Sequence, residues 1–163
     1  MPETDYIRWF SDIRLSDVPI VGGKNASLGE LYSSLAAQGM RVPNGFALSA
    51  QAYRDALTAA NAWEPLRKLL DGLDRRRVEA LAKRAAQLRR IVYRATGNDE
   101  LKRQAVLAYR KLEDQYGPNV AVAVRSSATA EDLPSASFAG QHESYLNVRG
   151  ADQLFRRQVD YVV

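Results

Sequence analysis

The chain has 163 residues, 46% of them hydrophobic and 26% charged, with no cysteine and a single histidine, His142. That length can bury a core and the composition is that of a folded globular chain rather than a disordered one. It excludes a disulfide scaffold, a thiolate zinc centre, a cysteine nucleophile and a multi-histidine metal cluster. No uncharged apolar run nears the ~20 residues that cross a bilayer, and the N-terminus lacks a basic stretch followed by an apolar one. The expectation is therefore a cytoplasmic protein without a membrane segment. The formal net charge of +4 is local in origin. Between Arg67 and Arg94, ten basic residues face three acidic ones, a local +7 that leaves −3 for the remainder.

In chain order, Pro19-Ile20-Val21 is a short apolar run stopped by Gly22-Gly23. From Asn25 to Gln38, Leu28, Leu31, Tyr32 and Leu35 follow helical spacing, and Gly39 is placed to end that helix in the left-handed conformation. Val42-Pro43-Asn44-Gly45 has turn chemistry, and Phe46-Ala47-Leu48 follows as a short strand. Ser49 is a candidate N-cap for a helix with Tyr53, Ala56, Leu57 and Ala60 on one face. The basic segment reads as a helix, with Val78, Leu81, Ala85, Leu88 and Val92 recurring at three and four. Thr96-Gly97-Asn98 breaks it, Asn98 or Asp99 can cap the next helix, and Leu101, Ala105, Ala108 and Leu112 form its stripe up to Gly117-Pro118. Two such helices with a short link predict an antiparallel helical hairpin at about 65–117. Val120 to Val124 reads as a strand and Tyr145 to Val148 as the last one, with a long polar loop, Arg125 to Gly140, between them.

Two places carry candidate chemistry. In Val21-Gly22-Gly23-Lys24-Asn25, paired glycines permit close backbone approach. The following helix N-terminus and Lys24 add positive charge, a combination suited to phosphate. The spacing is not that of a Walker A loop, and a plain strand-turn-helix junction with a solvated lysine accounts for the same residues. In Arg125-Ser126-Ser127-Ala128-Thr129, at a strand end, the arginine can fork two hydrogen bonds onto phosphate and the hydroxyls can donate more. A surface arginine beside an ordinary loop is the competing account. His142 has no neighbouring signature for catalysis, and Glu131 with Asp132 reads equally as a solvated pair or as cation ligands. The arginine-rich helix, with only Tyr93 as an interleaved aromatic, reads first as a solvated face and second as a nucleic-acid or partner-binding surface.

Taken together, the motifs carry a resemblance. Val21-Gly22-Gly23-Lys24-Asn25-Ala26-Ser27-Leu28-Gly29-Glu30-Leu31 resembles the N-terminal motif of the phosphoenolpyruvate synthases (pyruvate, water dikinases). Val42-Pro43-Asn44-Gly45-Phe46 is similar to the turn that follows in that family. Ala123 through Pro134, continuing through Ser137-Phe138-Ala139-Gly140-Gln141 to Leu146-Asn147-Val148, is similar to its second motif almost residue for residue. The resemblance spans Trp9 to Gly150. It implies an α+β chain: a partial ATP-grasp nucleotide-binding module, residues 1–163, with an inserted helical hairpin, shared with pyruvate phosphate dikinases and rifamycin phosphotransferases. It implies that Lys24 and Arg125 contact ATP phosphates, that Gly140 and Ser144 touch nucleotide (Ser144 standing where threonine is usual), and that the loop closes over it. Asn25-Ala26-Ser27 favours the synthase over the other branches. His142 does not match the family's phosphohistidine motif and no catalytic residue is assigned.

The implied cofactors are ATP and Mg²⁺, with the metal ligands expected beyond this stretch. The family reaction, ATP, pyruvate and water giving AMP, phosphoenolpyruvate and phosphate, needs domains that this sequence does not match. The expectation is an ATP-binding segment, inactive alone, with pyruvate a partner only of a full-length enzyme and a complementing chain as one way to complete the site. A fragment of a rifamycin phosphotransferase or pyruvate phosphate dikinase relative, and a non-catalytic module using the basic helix, are the alternatives.

Overall fold

A computed structural model of the chain describes residues 5–72, 77–129 and 144–159, with side chains up to 155. It is a mixed α and β structure in which seven helices surround two separate two-stranded sheets among the described residues. Strand β1 (Ile7–Trp9) pairs antiparallel with β2 (Phe46–Leu48), with Ile7 opposite Leu48 and Trp9 opposite Phe46. Strand β3 (Val122–Arg125) pairs antiparallel with β4 (Ser144–Val148). The register slips by one residue between Val122 and Val124, and Asn147 on the opposite strand takes a positive φ of 57°. Asparagine tolerates that conformation better than most residues, as a bulge requires.

The run before Gly22 is a turn of helix, α1 (Val18–Val21), rather than a strand. Pro19 fits there because a first-turn residue has no intrahelical N–H bond to lose. Helix α2 (Gly23–Ala37) ends as its sequence predicts. Gly39 has φ +77°, its N–H donates to Ala36 O, and Met40 N–H donates to Leu35 O. This pair of bonds satisfies the last carbonyls. The leucine stripe of α2 is not its buried face: Leu31 is 49% exposed, and the buried residues are Ala26 and Gly29. The reason is steric. The turn of 3₁₀ helix at Leu15–Asp17 and the fully buried Ile13 lie so close that a Cβ on Gly29 would stand 2.6 Å from Ile13 Cβ. Only small residues can face the core at the closest approach, so Leu31 lies exposed while Leu28 and Leu35 are half-buried.

Helix α3 (Ala50–Ala59) starts at Ser49, which is buried but makes no side-chain cap. The basic segment forms two helices, α4 (Trp63–Leu70) and α5 (Val78–Thr96). Leu66 of α4, Leu57 of α3 and Val92 and Ala95 of α5 share one core cluster. Asn98 caps α6 (Asp99–Tyr116) by accepting the Leu101 N–H at 2.9 Å, and Leu101, Ala105, Ala108 and Leu112 are all buried as spaced. The expected pairing of these two long helices does not form. Helix α5 lies against α3 and α4, whereas α6 packs on β1 and on α7 (Ala151–Val159). Thr96 and Asn98 turn the chain away, and each amphipathic face finds a different core. The antiparallel contact in this region is instead between α4 and α5, where the Arg84 guanidinium donates to the carbonyls of Leu69 and Asp71.

Tyr109 of α6 joins the second sheet to the helices. It is 1% exposed, its hydroxyl donates to Val120 O at 2.6 Å and accepts the Gly150 N–H at 2.9 Å. One side chain thus holds the chain just before β3 and just after β4. Tyr109→Phe leaves both backbone groups without that partner and is expected to cost about 2 kcal/mol, read as a fall of several degrees in Tm. Gly29→Ala is expected to lower Tm as well, because overpacking against Ile13 at about 1–3 kcal/mol exceeds the ~1 kcal/mol that alanine gains in helix propensity.

Candidate functional site

The two candidate turns, separated by a hundred residues in sequence, meet in space. Gly22 has φ +82° and ψ 161°, a region that is almost exclusive to glycine. A Cβ on it would collide with Ser127 Oγ and stand 2.9 Å from Ala128 O. The neighbouring Gly23 N–H donates to Ala128 O at a long 3.4 Å. Gly22 is therefore not the residue that gives a ligand close backbone approach, as the sequence pattern suggested. Its missing side chain makes room for the second motif.

Lys24 lies in the first turn of α2 and is exposed. No acidic residue occupies that turn, so the lysine charge and the partial positive charge of the helix end reinforce one another. Asn25 Nδ2 donates to Val21 O at 2.8 Å and ties the helix start to the turn before it. Arg125 is the exposed last residue of β3, and Ser144, the first of β4, is its cross-strand partner. Ser126 is buried and Ser127 half-buried. The structure thus brings Lys24, Arg125 and Ser144 to one region, where the mouth of the β3–β4 hairpin meets the start of α2. This is not the carboxyl edge of an open parallel sheet, because among the described residues β3 has only the antiparallel β4 beside it. Gly140, the acidic pair Glu131 and Asp132, His142 and most of the predicted loop lie outside the described residues.

Cationic and hydroxyl side chains around a helix N-terminus suit an anion. Among the described residues no group of three or more His, Asp or Glu side chains could hold a metal ion. Spacing alone did not single out Ser127, which sat in the motif as one of three hydroxyls. Its contact with Gly22 is visible only in three dimensions. Elsewhere, part of the basic segment has structural work. Lys68 pairs with Glu64 at 2.8 Å and Arg84 caps α4, while Arg89, Arg90 and Arg94 line a shallow open cleft around Ala86 and Tyr93.

Residues 18–162 match the family model described as pyruvate phosphate dikinase, AMP/ATP-binding domain. The chain belongs to that family. The chain is 49% identical over 152 residues to the phosphoenolpyruvate synthase of Pseudomonas aeruginosa (strain UCBPP-PA14), a span covering 93% of the chain and 19% of that protein. It is 44% identical over 151 residues to the phosphoenolpyruvate synthase of Neisseria meningitidis serogroup B (strain MC58), covering 92% and 19%. It is likewise 44% identical over 148 residues to that of Escherichia coli (strain K12), covering 91% and 19%. The chain thus spans less than a fifth of the length of these relatives. No helix among the described residues is long and apolar enough to cross a membrane.

The juncture at Gly22 gives a direct test of this geometry. Gly22→Ala combines a strained φ with a collision against Ala128 backbone, and is expected to cost at least about 2 kcal/mol by thermal or urea denaturation. A wild-type Tm for this variant would show that the two turns do not meet as described.

Proposed function

We propose that this chain is the phosphate-gripping part of an ATP site in a phosphoenolpyruvate synthase-like phosphotransferase with an ATP-grasp module. The observation that carries the reading is the meeting of the Gly22-Gly23-Lys24 turn with the Arg125-Ser126-Ser127 turn. The turns that meet each carry a cation, Lys24 at the start of a helix and Arg125 at the end of a strand with Ser144 across from it. Lys24 acts as a point charge on the phosphates. Arg125, with its planar fork, can take two phosphate oxygens at once and fix their orientation. Ser144 supplies a neutral donor, and Gly140 a backbone contact to the nucleotide. Charge that builds on the transferring phosphates is met by groups already in place, so little reorganisation is needed at the moment of transfer.

Mg²⁺ is proposed as the partner of ATP. The cationic and hydroxyl groups at these two turns fit phosphate oxygens and not a divalent cation, so no step is assigned to the metal here. In the longer protein the reaction would be that of the synthase, with ATP, pyruvate and water giving AMP, phosphoenolpyruvate and phosphate. This chain contributes the binding and orientation of ATP to it.

ATP binding to the 163-residue chain, followed by calorimetry, tests the reading. Loss of a charge-assisted hydrogen bond, about 1.5–3 kcal/mol, corresponds to roughly 10- to 150-fold in Kd. Lys24→Ala and Arg125→Ala are each expected in that range, and Ser144→Ala at no more than about 10-fold. Unchanged affinity in both cation variants would remove the assignment.

A further inference from the structure

Ser127 Oγ is shut off from solvent and has no hydrogen-bond partner, the one side-chain polar atom among the described residues in that condition. A buried hydroxyl left unpaired is uncommon in a folded protein and calls for an explanation such as a missing ligand. Its position narrows the explanation. The hydroxyl occupies the volume that a side chain on Gly22 would fill, so it projects from the turn bearing Arg125 against the turn bearing Lys24. We propose that Ser127 is a further phosphate-binding residue, its hydroxyl stored beneath Gly22 in the nucleotide-free chain and released to donate to a phosphate oxygen when the nucleotide arrives. This rests on the reading that the two turns grip the phosphates of ATP.

Three features support a stored rather than a permanent position. No hydrogen bond holds the hydroxyl where it is, so leaving costs no existing partner. A serine side chain moves between staggered rotamers by rotation about one bond, with no backbone change needed. The backbone joint beside it is also weak, a single long N–H···O contact from Gly23 to Ala128 at 3.4 Å. A phosphate approaching the start of α2 offers charged acceptor oxygens, and a hydroxyl gains more from a charged acceptor than from a neutral one. Gly22 then has two duties. It lets the chain turn, and it provides the space in which the hydroxyl waits.

The test is Ser127→Ala in the 163-residue chain, measured beside Lys24→Ala and Arg125→Ala. Removing an unpaired buried hydroxyl is expected to raise the Tm of the nucleotide-free chain by a few degrees. The same change is expected to weaken ATP, and inorganic tripolyphosphate used as a probe without a base, by about 5- to 10-fold. Opposite signs on stability and on affinity are what a merely structural serine would not produce. A lower Tm with unchanged affinity would overturn the proposal, because the hydroxyl would then serve the fold alone. Unchanged affinity in Ser127→Ala with weakened binding in the two cation variants would overturn it while leaving the ATP site standing. Unchanged affinity in all three would remove the ATP site as well.

Discussion

The contact of Gly22 with Ser127 and Ala128 is the constraint on which the arrangement of the site depends. On one side it is backbone, the Ala128 carbonyl, which cannot swing aside as a long side chain can, and on the other the short side chain of Ser127. Because interiors are packed closely, such a juncture sets the separation of the two turns to within a few tenths of an ångström. The cations on either side, Lys24 and Arg125, inherit that spacing without touching the core themselves. Two long side chains are thereby given fixed bases, which is how a phosphate site gains orientation from residues that are exposed.

The surrounding structure is organised to hold that juncture. Ile13, Val21, Ala26 and Ala47 form one small core beneath the start of α2. Tyr109, Val148 and Leu154 form another beneath the β3–β4 hairpin. Neither sheet has more than two strands, and an isolated hairpin of that size has little stability of its own in water. The helices supply what the sheets lack. Tyr109 gives its hydroxyl to backbone on both sides of the second hairpin, and Tyr6 donates to Asp55 across β1 and α3. Burial, with the acceptor carboxylate of Asp55, raises the Tyr6 phenol above its usual range, so this tie is present at neutral pH, and its contribution starts to decline only above the pH at which an ordinary tyrosine ionises and is gone once the raised value is passed.

Much of the local structure was legible because it rests on near-neighbour chemistry. The Gly39 stop, the Asn98 cap, the Phe46–Leu48 strand and the buried stripe Leu101, Ala105, Ala108 and Leu112 each follow from residues within a turn or two. The failures share a cause. The α2 leucines were spaced like a core face, yet Ala26 and Gly29 face the core because Ile13 comes too near for anything larger. The long helices α5 and α6 were spaced like a hairpin, yet each amphipathic stripe found a different partner. Periodicity states that a face is apolar and is silent on what covers it.

The sequence by itself determined where α2 stops and where α6 starts, which residues carry charge, and that two phosphate-suited motifs exist with the order seen in the pyruvate phosphate dikinase AMP/ATP-binding family. Those are properties of short segments and of residue identity. The tertiary structure decided that the motifs meet, that Gly22 makes room for Ser127 and not for a ligand, and that one hydroxyl lies unpaired where the two turns touch. A contact across a hundred residues depends on how separate cores stack. No local propensity encodes that distance.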